Sequence, residues 1–398
     1  MAKRDNIGLD STTSHLMDCL RGLSALIVAY VHGFQIFVLP YFGVGSPSHI
    51  LTSLIATYAV NTFFVVSGFM ICISTLRHRN PDGSFRSAEF AQARILRIYP
   101  PLLLAIAVTL LVYFIISGLG LHGSESFRLG DELFLARERV KVEWTALPST
   151  LLLLYGAVPF APTPINMDGP LWTLGYEWWF YVSTFLIARL LNGLSISRLV
   201  PIALLAGMLI YGRNTLFLWF LLIWLSGFSL AMAYVANWLR SKYFFPIVAV
   251  LASVLLLALL LIGGGHIWID ILLPFDTSSA QKIMVVNSML ATIVLSVVVR
   301  YASSSRRKFA RQLASLSNFS YTLYVIHYPL LLLAFSLLHP LLHDFKWMVS
   351  LATMTLVLIP IVYICSRAAT VVENRKLLGQ LGSRVVVSWV PSGSRANP

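Results

Sequence analysis

The chain is built from repeated apolar segments, each close to the length that a helix needs to cross a bilayer. They run over residues 20–39, 52–75, 98–117, 172–192, 198–212, 215–236, 243–263, 283–301, 319–338 and 347–367. A spanning helix needs about 20 mostly apolar residues, and in lipid a helix satisfies its own backbone hydrogen bonds. Because 58% of the residues are hydrophobic and only 11% are charged, the sequence predicts an all-α, polytopic membrane bundle of about ten helices. A further apolar piece, 146–158, is too short to cross.

The basic residues lie mostly on one side of this predicted bundle. With the N-terminus inside, 22 of the 29 lysines and arginines fall in cytoplasmic segments, as the positive-inside rule requires. We therefore expect both termini in the cytoplasm, and we interpret the net charge of +13 as an orientation signal rather than a sign of nucleic-acid binding. Residues 1–375 are predicted to form one transmembrane domain, followed by a short polar tail over 376–398. The 3 cysteines show neither disulfide nor metal spacing, so no metal is expected.

Two histidines within apolar segments are the first candidates for a functional site, because an ionisable side chain inside a span is costly. His32 follows Arg21 by eleven residues, which places it about 16 Å deeper, near the middle of the membrane. An imidazole there suits proton transfer, although it would equally suit a hydrogen bond that packs two helices. His327 follows Tyr321 and Tyr324 at helical spacing, so the three share a broad helix face. A structural polar cluster is an equal reading of that face.

A carboxylate and two arginines complete the set of candidates. Glu177 is predicted near the outer face among Trp172, Trp178 and Trp179, where it would orient an imidazole, bind sugar hydroxyls beside stacking aromatic rings, or simply occupy the interface. Arg94 and Arg97 are three residues apart on a helix. Two such guanidinium groups can hold a phosphate, and the alternative is a plain positive-inside anchor.

Five segments carry these residues in one order along the chain. They are Asp18–Leu26 with His32, Asn61–Phe69, Arg94–Pro100, Leu171–Tyr181 and Leu316–Pro329, with a weaker sixth at Val371–Asn374. Together they resemble acyltransferase family 3 over essentially the whole chain. The resemblance implies a ten-span bundle that uses cytoplasmic acyl-CoA, usually acetyl-CoA, to acylate carbohydrate hydroxyls. It also implies a stand-alone form without a fused hydrolase-like domain, in a bacterial inner membrane.

The resemblance assigns roles to the candidate residues. We expect His32, Glu177 and His327 in catalysis, with His32 as general base or as an acyl-carrying nucleophile. The expected acyl-CoA ligands are Arg21, Arg94 and Arg97, and the expected acceptor ligands are Trp172, Trp178 and Tyr324. Acyl-CoA is then a co-substrate rather than a bound cofactor, and the partners are a glycan and the bilayer. The rival class is a transporter or flippase of a lipid-linked glycan, which midplane ionisable residues also suit.

Overall fold

The computed structural model of the protein shows a helical bundle. It describes residues 9–43, 46–121, 140–193, 195–212, 214–241, 290–297, 299–300, 313–342 and 346–374. Within these ranges the α-helices, in chain order, include α1 (Ser11–Phe37), α2 (Pro47–Arg77), α3 (Ser87–Gly118), α4 (Ala146–Leu151), α5 (Trp172–Leu190), α6 (Ile196–Gly212), α7 (Thr215–Val235), α8 (Ser320–Leu342) and α9 (Trp347–Val372). Short 3₁₀ turns lie at Leu39–Tyr41, Gly169–Leu171, Trp238–Arg240 and Ser315–Asn318.

The predicted all-α class is confirmed for the part of the chain that the structure describes. Among those residues, 6 helices are long and apolar enough to cross a membrane: α1, α2, α3, α8, α9 and the Leu216–Val235 part of α7. The shorter apolar helix α6 and the 19-residue α5 coincide with two further predicted spans. The predicted span 243–263, part of the span 283–301 and the tail 376–398 lie outside the described residues. Ten spans with both ends cytoplasmic therefore stays a prediction.

Several helices begin where a side chain caps them. Asp10 accepts a hydrogen bond from the backbone N–H of Thr13 at 2.9 Å, so α1 starts nine residues before the predicted apolar span. Ser46 caps α2 and Asn214 caps α7 in the same way, at 3.2 Å and 3.0 Å. A cap replaces the missing partners of the first backbone N–H groups of a helix. Polar first turns thus extend the helices beyond the stretches that hydropathy marks.

The helices pack as expected for a membrane bundle. α8 lies against α1, α3 and α9, while α2 lies between α1 and α7. At the α2–α7 contact, Gly68 meets the backbone carbonyl of Trp224 and Gly227 meets that of Val65, with no room for a Cβ atom at either glycine. Small residues that let two helix backbones approach are typical of membrane bundles. Large apolar side chains such as Leu111, Phe114 and Leu356 face outward.

The segment between α4 and α5 folds into the bundle. The backbone N–H of Ile165 donates to Thr150 Oγ1 at 3.1 Å, and Trp179 Nε1 donates to the carbonyl oxygen of Leu153 at 2.7 Å. Ile165, Met167 and Asp168 are fully buried as a result. The first turns of α5 therefore lie inside the helical bundle.

Candidate active site

The two histidines predicted separately from the sequence meet in the structure. His32 Nδ1 on α1 lies 2.9 Å from His327 Nε2 on α8. The ring planes are within 7° of each other and the ring centroids are 5.2 Å apart, so the rings lie edge to edge in nearly one plane. His327 is fully buried, and its Nδ1 lies 2.8 Å from the carbonyl oxygen of Leu323. His32 is only half-buried.

Tyrosines surround this histidine pair. The ring of Tyr328 meets His32 edge-on at 5.2 Å, and the ring of Tyr324 lies 6.2 Å from His327. Tyr324 is buried, stacks on Phe63, and its hydroxyl is 3.1 Å from Thr173 Oγ1. Every residue from Ser320 to Pro329 is buried, so the helix face that Tyr321, Tyr324 and His327 are expected to share stays a prediction.

Glu177 lies in the interior of the helical bundle. It is fully buried and accepts hydrogen bonds from Ser67 Oγ on α2, at 2.9 Å, and from the hydroxyl of Tyr181. Its Oε2 is buried without a hydrogen-bond partner among the described residues. Its position near the outer face of the membrane stays a prediction.

The tryptophans predicted to bind sugar pack against other aromatic side chains. Trp172 is half-buried among Phe64, Tyr176 and Phe220, at ring separations of 6.2, 5.2 and 4.9 Å. Trp178 meets the ring of Tyr99 edge-on at 5.5 Å. These contacts hold α5 against α2, α3 and α7, and the sugar-binding role of the two tryptophans stays a prediction.

A cavity of about 800 Å³ opens at the end of the bundle that is predicted to be cytoplasmic. Its charged lining residues are Asp18, Arg21, Arg97 and Glu373. Arg21 pairs with Asp18 at 3.5 Å, and the guanidinium of Arg97 lies 5.4 Å from the ring centre of Tyr321. The Arg97 Nε is buried without a hydrogen-bond partner in the described part of the chain. The cavity thus presents a guanidinium group suited to an anionic ligand.

The two arginines of the Arg94–Arg97 motif point to different neighbours. Arg97 lines the cavity, whereas Arg94 donates to Ser74 Oγ at 3.2 Å and lies over the rings of Phe90 and Tyr181. The structure therefore brings Arg21 and Arg97 to one cavity and places Arg94 beside α2.

Comparison with known proteins identifies the family of this chain. The family model described as an acyltransferase domain, that of acyltransferase family 3, matches residues 15–367, from α1 to α9. This chain is a member of acyltransferase family 3. It is also 29% identical over 171 residues to nodulation protein 10 of Rhizobium leguminosarum bv. viciae, a match that covers 42% of each chain. No solved structure matches it. Family membership and the apolar helices indicate a multi-pass membrane protein of this family.

Glu373 is a member of this site that sequence reasoning noticed only as part of a weak motif. Its Oε1 accepts from the backbone N–H of Thr322 at 2.9 Å and from Thr322 Oγ1 at 2.6 Å, so the end of α9 caps the start of α8. Burial raises the pKa of Glu373, while the hydrogen bonds from Thr322 and the charges of Arg97 and Arg21 oppose that rise. The only sequence signal was a carboxylate directly after a long apolar segment.

Asp168 was missed as a candidate. Its side chain is fully buried, with Oδ2 at 3.4 Å from Thr109 Oγ1 and Oδ1 without a hydrogen-bond partner among the described residues. It precedes the 3₁₀ turn that starts α5, so the sequence suggested only a loop residue. In the described part of the chain, no group of three or more His, Cys, Asp or Glu side chains is placed to hold a metal ion.

Proposed function

We propose that the protein transfers an acyl group, by default acetyl, from cytoplasmic acyl-CoA to a carbohydrate hydroxyl, within a bacterial inner membrane. The observation that carries the proposal is the half-buried His32, hydrogen-bonded to His327 on the same two helices whose inner ends line the cavity. Along α1, His32 lies about 16 Å beyond Arg21, and along α8, His327 lies about 9 Å beyond Tyr321. A long thioester arm anchored in the cavity is needed to bridge this separation.

The cavity is the proposed binding site for the phosphates of acyl-CoA. Arg97 and Arg21 both line the cavity and give it positive charge. Hydrogen bonds between guanidinium and phosphate groups are stronger than neutral ones, because both partners are charged. The acyl end then extends between α1 and α8 toward the histidine pair.

His32 is the proposed general base. The imidazole takes the proton of the acceptor hydroxyl while the hydroxyl oxygen attacks the thioester carbonyl carbon. The carbon–sulfur bond then breaks, and the proton passes from His32 to the leaving sulfur, giving an ester and free CoA thiol. General-base assistance of this kind contributes about 10²–10⁴-fold. In the other version the imidazole nitrogen first receives the acyl group and then passes it to the hydroxyl.

Thioester consumption in nanodiscs tests the function directly. Wild-type protein is incubated with acetyl-CoA in the presence and absence of glycan fractions from the cell surface, and CoA thiol is measured together with glycan mass. We expect release of thiol and a gain of one acetyl mass only when an acceptor is present. Movement of a lipid-linked glycan across the bilayer without thioester consumption would instead favour a flippase.

A further inference from the structure

The hydrogen bonds of His327 define which of its nitrogens carries hydrogen. Its Nδ1 lies 2.8 Å from the carbonyl oxygen of Leu323, and a carbonyl oxygen only accepts. His327 Nδ1 must therefore be the N–H donor. The ring is fully buried, and a second proton would place a positive charge inside the bundle at a cost of several kcal/mol. A neutral His327 with hydrogen on Nδ1 carries its lone pair on Nε2.

The tautomer of His32 follows from that of His327. Its Nδ1 lies 2.9 Å from the Nε2 of His327, and the nearly coplanar rings aim the N–H of one along the lone pair of the other. Because His327 Nε2 accepts, His32 Nδ1 donates. A neutral His32 with hydrogen on Nδ1 then carries its basic lone pair on Nε2.

We infer that His327 is a positioning residue that fixes the tautomer of His32, so that Nε2 of His32 is the atom that receives the acceptor proton. The backbone carbonyl of Leu323 sets the direction of the whole chain of hydrogen bonds. Because a backbone carbonyl is present whatever residue 323 is, the direction does not depend on that side chain. When His32 becomes protonated on Nε2, His327 Nε2 still accepts from Nδ1–H and stabilises the charge. The inference rests on the proposed role of His32 as base.

Three substitutions at residue 327 separate positioning from packing. His327→Phe keeps an aromatic ring but removes the acceptor, and we expect kcat to fall about 10–100-fold, because a wrong tautomer disables an imidazole base. The KM for acyl-CoA should change less than about threefold, because the donor contacts lie elsewhere. His327→Gln restores an acceptor oxygen and should recover most of kcat, whereas His327→Leu should resemble His327→Phe. The control is His339→Phe, at the far end of the same helix, with unchanged kinetics expected.

Two kinetic results would overturn the inference: a folded His327→Phe protein with wild-type kcat, or a folded His327→Gln protein as slow as His327→Phe.

A second measurement needs no substitution at residue 327 and no turnover. In wild-type protein with ¹⁵N-labelled histidine, solid-state NMR reports which ring nitrogen of His32 bears hydrogen, with His32→Gln used to assign the signals. We expect hydrogen on Nδ1 and none on Nε2, and the reverse pattern would contradict the inference. Since this spectrum does not depend on acyl transfer, it stays informative even if the proposed function fails.

Discussion

The histidine pair and the inner cavity lie on the same two helices, α1 and α8, but they differ in what surrounds their polar groups. At the pair, His327 has no exposed surface and hydrogen bonds at both ring nitrogens, so its geometry is fixed. In the cavity, Arg21, Arg97 and Glu373 face a space of about 800 Å³. This difference supports our proposal that separate residues carry out the chemistry and bind the donor. Substitutions at the pair should therefore change kcat, and those in the cavity should change the KM for acyl-CoA.

The largest effect is expected at His32. The His32→Ala protein should lose about 10²–10⁴-fold in kcat, because it loses the general base, while the KM for acyl-CoA stays close to that of the wild type. Steady-state kinetics in nanodiscs with a fixed acceptor concentration measure both constants. His339→Ala on α8 is the matched control. Near-normal turnover by inserted His32→Ala protein would remove this mechanism.

The next largest effect is expected at Arg97. In the Arg97→Ala protein the KM for acyl-CoA should rise about tenfold or more, since hydrogen bonds to charged groups contribute about 1.5–3 kcal/mol. Arg189→Ala, an exposed arginine of α5, provides the control for a general loss of positive charge. The Arg94→Ala protein should show a smaller rise, because Arg94 does not line the cavity. An equal rise in the KM for acyl-CoA in Arg94→Ala and Arg97→Ala would contradict the proposal that Arg97 contributes more to donor binding than Arg94.

A substitution of Glu177 tests whether this buried carboxylate contributes to activity or only to helix packing. Ser67 and Tyr181 both donate to its Oε1, and its charge interacts with Arg97. In Glu177→Gln the removal of this charge should lower kcat/KM about tenfold, the scale of one weakened charged hydrogen bond. The thermal midpoint of the purified protein, measured alongside, shows whether the α2–α5 contact persists. Unchanged kcat/KM with a lowered midpoint would assign Glu177 to packing alone.

The smallest kinetic effect is expected at Glu373. Glu373→Ala leaves the backbone N–H of Thr322 without its acceptor, which should lower stability by about 1–3 kcal/mol and raise the acyl-CoA KM only a few-fold. Glu373→Gln keeps an oxygen acceptor and should lie between Glu373→Ala and the wild type. Thermal unfolding and steady-state kinetics check the two effects. A wild-type midpoint for Glu373→Ala would show that this cap does not stabilise α8.

The sequence predicted the positions of the long helices and singled out the two histidines, but it did not predict which residues these histidines contact. The lengths of the apolar segments located α1, α2, α3, α8 and α9 correctly, because a helix that crosses a bilayer needs about 20 apolar residues. It also singled out His32 and His327 as costly residues, but not their contact. Two residues 295 positions apart meet only if α1 and α8 are neighbours, and hydropathy carries no information on which helices pack together.

The features that the sequence did not predict have local causes. Glu177 is fully buried and accepts a hydrogen bond from Ser67, and both features depend on how α2 and α5 pack together. Arg94 and Arg97 share a broad helix face, yet one lies toward Ser74 and the other toward Tyr321, a difference decided by neighbouring helices. Asp168 and Glu373 lie just outside regular helices. A carboxylate at such a position is normally hydrated, so the sequence gives no sign that it is buried.

The division between chemistry and donor binding is tested most directly by equilibrium binding of a non-hydrolysable acyl-CoA thioether to three purified proteins. The account predicts that His32→Ala binds the analogue with the wild-type Kd although it does not transfer acyl groups, and that Arg97→Ala binds about tenfold more weakly or worse. Loss of binding in His32→Ala together with wild-type binding in Arg97→Ala would contradict it.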